Sequence, residues 1–220
     1  MIPNLIDKVD NFEAVRDQIA LVLATEVASQ MALATAATKD PTAWDLRVYT
    51  ERHNPIEQYL NPEPDETPLV NVQYEGSVFD KSQSDMFHRQ GTVGSYFIDC
   101  YGYGVDGTDG ATGHIAGDEL AAQEAQRAVR LVRNILMASE YQNLGLTPKE
   151  AWDRWCPTVD MVIPNKEHTT VQSVAVARMA LEVSFNEFSP QIEAGVIEQI
   201  VVDIQRAEDG QVIAGADFTF

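Results

Sequence analysis

The sequence predicts an α+β fold with a mainly antiparallel or mixed sheet, helices packed on one face of that sheet, and a long projecting hairpin. Apolar residues recur at helical spacing from Phe12 to Met31 and again from Ala121 to Leu136. The strand-like segments between and after these repeats come in groups. A doubly wound parallel sheet would instead alternate one strand with one helix, so we expect the helices to be segregated to one face of the sheet.

Both helices have recognisable ends. Asp10 is followed three residues later by Glu13, which is the pattern of a capping box, and Lys39-Asp40-Pro41 ends the first helix. The second helix is predicted from Asp118 to about Ser139. A short third helix is predicted over Thr147 to Trp155, because Thr-Pro suits the first positions of a helix.

Strands are predicted where apolar and polar residues alternate or where β-branched and aromatic residues cluster. Leu69 to Tyr74 and Tyr96 to Tyr103 should pair as a hairpin whose tip, Asp80 to Gln90, projects from the body. The remaining predicted strands are Asp45 to Glu51, Ala175 to Asn186, and a final hairpin formed by Ile200 to Gln205 and Gln211 to Phe220.

We expect a single domain over residues 1–220, with loop insertions at about 51–68 and 102–117. The first insertion is polar and contains Pro55, Pro62 and Pro64. The second is dominated by glycine, aspartate and threonine, a composition typical of a flexible loop.

Composition limits the classes of function. The chain has 34 acidic and 15 basic residues and a net charge of −19. Such a charge repels nucleic acid and anionic membranes, so tight DNA binding is not expected. The N-terminus lacks the pattern of a signal peptide and no stretch reaches about 18 consecutive apolar residues, so we expect a cytoplasmic product that does not enter membranes.

The sequence shows no convincing active site, and we expect no enzyme activity, no cofactor and no metal. The four histidines are isolated, and Cys100 and Cys156 belong to no CxxC pattern. The segment Asp106 to Gly110 has alternating oxygen-bearing residues but lacks the distal glutamate of an EF-hand. Cys100 lies in a predicted strand, where a packed small side chain is its ordinary role.

Bulky groups on both faces of the Tyr96 to Tyr103 strand indicate that one face meets a partner subunit. We assign six residues to a candidate subunit interface: Phe79, Phe87, Tyr96, Tyr101, Tyr103 and Arg178.

The order of parts resembles the tail terminator (tail-completion) proteins of tailed bacteriophages. The likeness rests on the long N-terminal helix, the strand at Leu46 to Thr50, the hairpin PLVNVQYEGSVFD…GSYFIDCYGYG, the helix AAQEAQRAVRLVRNIL and the strand VAVARMALEVSFNE. It covers about two thirds of the chain and includes no diagnostic motif.

This resemblance implies a structural virion protein of the tail and neck, assembled in the host cytoplasm. Such subunits close into a hexameric ring that caps the tail tube and joins it to the neck. The implied partners are further copies of the chain, the tail tube protein, neck or connector proteins, and the sheath protein if the tail is contractile. DNA would pass through the ring without specific binding.

Two alternatives stay open on the sequence. The chain could be another head-to-tail connector, such as a neck or head-completion protein. It could instead be a small cytoplasmic hydrolase or ligand-binding domain that uses His88 or His114 with Asp85 or Asp109.

Overall fold

The computed structural model describes residues 9–60, 66–85, 89–109, 113–147, 151–162, 173–188, 199–205 and 212–219. Contacts divide the chain into two compact units, Val9–Phe188 and a second unit that contains Ser189–Phe220. The expectation of one domain over residues 1–220 stays a prediction, and each unit is described by itself.

The larger unit contains two α-helices, α1 (Asn11–Ala36) and α2 (Gly117–Leu136). Its strands are β1 (Arg47–Thr50), β2 (Leu69–Asp85), β3 (Arg89–Gly104), β4 (Gly107–Asp109), β5 (Gly113–Ile115), β6 (Ala151–Trp155), β7 (Val159–Val162) and β8 (Ser173–Phe188). Short 3₁₀ helices lie at Pro41–Trp44, Pro55–Leu60 and Ser139–Tyr141. In the second unit, β9 (Gln199–Gln205) and β10 (Val212–Thr219) form an antiparallel pair, which confirms the predicted C-terminal hairpin.

Six strands form one mixed sheet in the order β1-β2-β3-β8-β6, with β7 also paired to β8. β1 runs parallel to β2, and the other pairs are antiparallel. β3 and β8 pair along their whole lengths, from Arg89↔Phe188 to Gly104↔Ser173. The mixed sheet and the two helices confirm the predicted α+β class.

Both helices pack on the same face of this sheet. The buried stripe of α1 and the buried stripe of α2 share one apolar core with alternate residues of β2, β3 and β8. Representative members of that core are Ile19, Leu23, Val132, Ile98 and Leu181. α1 is also long enough and apolar enough to span a membrane. Length and composition are weak evidence, because the core helices of other proteins meet the same criterion.

Helix and sheet come into close contact where α2 crosses the end of β3. A Cβ placed on Gly102 would lie 2.2 Å from the Ala121 carbonyl oxygen, and one placed on Gly104 would lie 2.2 Å from the Gly117 carbonyl oxygen. Glycine on the strand and alanine on the helix therefore bring the two backbones into direct contact.

The opposite face of the sheet is covered at one end by the 3₁₀ helix Pro55–Leu60. Tyr59 is fully buried there, its hydroxyl lies 3.1 Å from the Thr67 carbonyl oxygen and 3.2 Å from that of Tyr101, and its ring stacks on Tyr103 at 5.2 Å. Part of the insertion predicted at 51–68 thus serves as a cap on the sheet.

Three sequence predictions about local structure were wrong. Gly102 to Gly117 is not one flexible loop, because β3 continues to Gly104 and the pair β4–β5 follows. The described end of the segment Thr147 to Trp155 is the strand β6, since pairing with β8 outweighs the local Thr-Pro helix signal. The strands of the long hairpin are also longer than predicted. The pairing of β2 with β3 continues past Tyr74 and Tyr96 as far as Asp85 and Arg89.

A hydrogen bond between Tyr141 and Glu26 ties the segment after α2 to α1. The Tyr141 hydroxyl donates to Glu26 Oε2 at 2.6 Å, and Gln30 donates to Glu26 Oε1 at 2.6 Å. The bonds from Gln30 and Tyr141 lower the pKa of the Glu26 carboxyl, and the bond to Glu26 raises the pKa of Tyr141 to about 12.

We expect Tyr141→Phe to lower the free energy of unfolding by about 1 kcal/mol at neutral pH. This loss is near the lower end of the range for a hydrogen bond to a charged group, because water reaches the pair. The carboxylate's contribution is present above its unfolded pKa of about 4.3 and lost as the pH falls through the lowered folded value. The hydroxyl's contribution is present below its unfolded pKa of about 10 and lost as the pH rises towards about 12. Urea unfolding across pH should therefore show the largest difference between wild type and variant in the middle of the range. Tyr49→Phe is the control, because among the described residues the Tyr49 hydroxyl donates to a neutral acceptor, Gln58 Oε1, at 3.4 Å. An equal loss in both variants would contradict the prediction.

Candidate functional site

The structure separates the predicted interface residues into buried and accessible groups. Tyr96 is fully buried and donates its hydroxyl to the Phe12 carbonyl oxygen at 2.9 Å, while Tyr101 and Tyr103 lie under the 3₁₀ helix Pro55–Leu60 with 8% and 4% exposure. Burial raises the pKa of the Tyr96 hydroxyl, so it remains a proton donor. These tyrosines would have to be uncovered before they could meet a partner.

The remaining three predicted residues lie elsewhere. Phe79 is 54% exposed on β2, and the Arg178 side chain is partly exposed on β8. Phe87 lies outside the described residues. The interface assignment as a whole stays a prediction.

Phe79 belongs to a segment of β2 that we call the arm, residues 77–85. A strand of 17 residues spans about 56 Å, whereas the 20 residues of α2 span about 30 Å. The arm begins after an irregularity in pairing between Tyr74 and Gly76, and such bulges bend and twist a strand. Neighbouring residues of a strand point to opposite faces, and both Val78 (72% exposed) and Phe79 are uncovered. The arm therefore presents an apolar side chain on each of its faces.

A second uncovered apolar group lies on the other side of the sheet, on β6 and β7, which we call the far edge. Trp155 is 63% exposed, Met161 46% and Val159 43%. In register, Trp155 is opposite Glu182, and Val159 and Met161 are opposite Met179 and Ala177. The three side chains therefore occupy both faces of the far edge.

A charged pair occupies the centre of the face that the helices leave open. Arg178 donates to both carboxylate oxygens of Asp99, at 2.7 and 2.8 Å, and its guanidinium lies 4.4 Å from the centre of the Phe97 ring. The Asp99 side chain is only 4% exposed, and the bond to Asp99 raises the pKa of Arg178. The geometry is that of a bidentate pair that fixes β3 against β8.

A cleft of about 700 Å³ lies beside the N-terminal half of α2, and no pattern in the sequence predicts it. Its lining includes Asp45, Glu66 and Glu124 with one cation, Arg127. Arg127 is already bound, because it donates to Glu124 at 2.7 Å and to the Ala43 carbonyl oxygen at 2.5 Å. Among the described residues, no group of three or more histidine, cysteine, aspartate or glutamate side chains is arranged to hold a metal ion.

The described part of the structure does not show whether the residues of the hydrolase alternative lie close together. His88 lies outside the described residues, and the side chains of Asp85, Asp109 and His114 are not described. Cys100 is fully buried in the core, and burial raises the pKa of its thiol. Its predicted role as a packed small side chain is confirmed.

Sequence reasoning overlooked Val78 and most of the far edge. The available signal was the adjacent pair Val78-Phe79 within the otherwise polar and glycine-containing segment EGSVFDKS. Two adjacent apolar residues in a strand cannot both face one core. Trp155 falls in the segment predicted as a short helix, so its place on a strand at the edge of the sheet was not expected.

No protein-family model matches this sequence, and no curated protein matches it.

Proposed function

We propose that this chain is a structural virion protein of a tailed bacteriophage, a tail terminator whose copies form a ring that caps the tail tube and joins it to the neck. The proposal draws on the resemblance in the order of elements given above. It is also supported by the exposed apolar side chains of the arm and of the far edge.

The observation that carries the proposal is the arm. Val78 and Phe79 expose apolar side chains on both faces of one strand, so laying the arm flat on its own sheet would cover one of them at most. An arm of this kind is suited to a position where other protein surrounds it. A subunit of an assembly meets that requirement, and a monomeric enzyme has no need of it.

The charge of the chain fits passage of DNA through the ring. With a net charge of −19, an accessible inner wall rich in carboxylates would repel the phosphate backbone and prevent adhesion. DNA would then move past the subunits without specific contacts.

The first test is the native mass of the purified chain over a concentration series, followed by negative-stain imaging of any large species. We expect a ring of six copies near 146 kDa, six times the 24.4 kDa of one chain. A chain that stays at 24.4 kDa at every concentration would contradict a self-assembling ring.

In purified virions, cross-links to the tail tube protein would support the position at the tail end. Cross-links confined to portal-side proteins would support the connector alternative.

A further inference from the structure

We infer that the arm of one copy docks on the far edge of the next copy, so that the sheet continues from subunit to subunit around the ring. This inference rests on the proposed function, because it names the contact through which that ring closes. The partner is a second copy of this chain.

The first argument is the position of the free strand edges. β1 pairs with β2 only from Leu69 to Val72, and past that point β2 has β3 as its one neighbour among the described strands. At the opposite side, β6 and β7 pair with β8, and no described strand lies beyond them. Unpaired edges carry N–H and C=O groups that bind another strand readily.

The order of strands also fixes the kind of symmetry. The arm lies on the β1–β2 side of the sheet and the far edge on the β6–β7 side. A contact between two different surfaces of the same chain is head-to-tail, and repeating it gives a closed ring or an open filament. A two-fold dimer would need one surface to meet its own copy instead.

The second argument is the match between the two surfaces. The arm exposes Val78 and Phe79, and the far edge exposes Trp155, Val159 and Met161. Aromatic and methionine side chains are enriched at the centres of protein interfaces. Placing one set against the other would remove both from water.

The third argument is charge complementarity around these apolar groups. Lys81 on the arm and Arg89 at the start of β3 are exposed and make no ion pair within the described part of the chain. Asp160 on the far edge is an exposed carboxylate without an ion pair among the described residues, and the exposed Asp153 interacts there with the neighbouring Arg154. In a chain with 34 acidic and 15 basic residues, such cations are scarce. Lys81 follows Phe79 by two residues on the arm, and Arg89 is paired with Asp85 at the far end of the arm. Complementary charges at the rim of an interface set partner choice and register.

The test is a mixing experiment with two defective variants. The arm variant is Val78→Asp/Phe79→Asp, and the edge variant is Trp155→Asp/Met161→Asp. Each variant alone should remain at 24.4 kDa under conditions where the wild type forms the ring, because each lacks one half of every contact. Mixed in equal amounts, they should form a one-to-one pair of about 49 kDa, twice the mass of one chain, since one intact arm and one intact edge remain.

The matched control is Leu21→Asp/Leu33→Asp. These two leucines of α1 are 57% and 61% exposed, as accessible as the apolar groups of the proposed contact, but they lie outside it. The control should assemble like the wild type. Circular dichroism and thermal unfolding of every variant establish that it is folded; if an aspartate variant is not, alanine replaces aspartate at the same positions.

A charge reversal tests the register independently. Lys81→Glu should raise the concentration needed for half-assembly at least about tenfold at low salt, and Asp160→Lys in the same chain should restore it in part. Rescue is expected only for charges that face each other across the contact.

The outcomes separate the two proposals. If the wild type assembles and the arm and edge variants assemble equally well, the ring stands and the arm-to-edge contact is wrong. If the two variants fail alone and also fail to pair when mixed, the contact is not head-to-tail between these surfaces. A wild type that stays monomeric overturns both the ring and the contact.

Discussion

Replacing Gly102 with alanine is expected to lower the free energy of unfolding by about 3 kcal/mol or more, near the upper range for an overpacked core. The added methyl would lie 2.2 Å from the Ala121 carbonyl oxygen and 2.4 Å from the Ala125 backbone nitrogen. Both atoms belong to the backbone of α2, so no side-chain rotation relieves the clash. The helix must move away from the sheet and lose contacts along its buried stripe.

The control is Gly107→Ala, five residues further along the chain. A Cβ at Gly107 meets no atom within 4 Å, and its φ is not in the left-handed region, so we expect a change within about 0.5 kcal/mol. Urea unfolding monitored by circular dichroism at one protein concentration measures both variants, since assembly would make the midpoint depend on concentration. Equal stability of the two variants would mean that α2 does not lie against Gly102.

This contact also shows why the glycine-rich segment was misjudged from sequence. Gly104 falls in the predicted flexible loop, and Gly102 lies where the predicted strand Tyr96 to Tyr103 meets that loop, because glycine frequently marks turns. The structure uses them for a different property, the absence of a side chain where two backbones meet. Sequence alone does not show which glycines face a helix, because that depends on the path of α2 across the sheet.

The elements with strong periodicity were predicted well. α1 and β8 extend over nearly the predicted ranges, since a buried stripe at period 3.6 or 2 reports directly on one covered face. The arm was underestimated because polar residues dominate the segment after Tyr74, although β2 continues in pairing with β3. An alternating apolar pattern indicates the register and length of a strand, and a mainly polar segment has no such pattern.

The sequence did not show which of the candidate interface residues the fold would bury. Tyr101 and Tyr103 were assigned to the interface because bulky groups occur on both faces of their strand, but the 3₁₀ helix that carries Tyr59 covers them. That cap comes from a proline-rich insertion whose docking has no local sequence signal. By contrast, Phe79 is exposed on the arm, and its place in a subunit interface stays a prediction.

The second large effect is expected for Arg178→Met, which should lower the free energy of unfolding by about 2 kcal/mol. Breaking a fully buried ion pair costs about 3–5 kcal/mol, and we discount that range because a third of the Arg178 side chain is exposed. The Asp99 carboxylate, only 4% exposed, would lose two charge-assisted hydrogen bonds and its counter-ion. The stacking of the guanidinium over Phe97 would be lost as well.

The reciprocal change should cost less, and this asymmetry is the sharper test. Asp99→Asn keeps a polar side chain of the same shape and leaves Arg178 with access to water, so we expect a loss of about 1 kcal/mol. The double variant should lose less free energy of unfolding than the sum of the two single losses, because the two side chains act as one unit.

Arg130→Met is the control, since Arg130 is exposed on α2 and its replacement should change the free energy of unfolding by less than about 0.5 kcal/mol. Denaturant unfolding of the wild type, the two single variants and the double variant completes the cycle. If the losses were additive, Asp99 and Arg178 would not be coupled, and the pair would not hold β3 against β8.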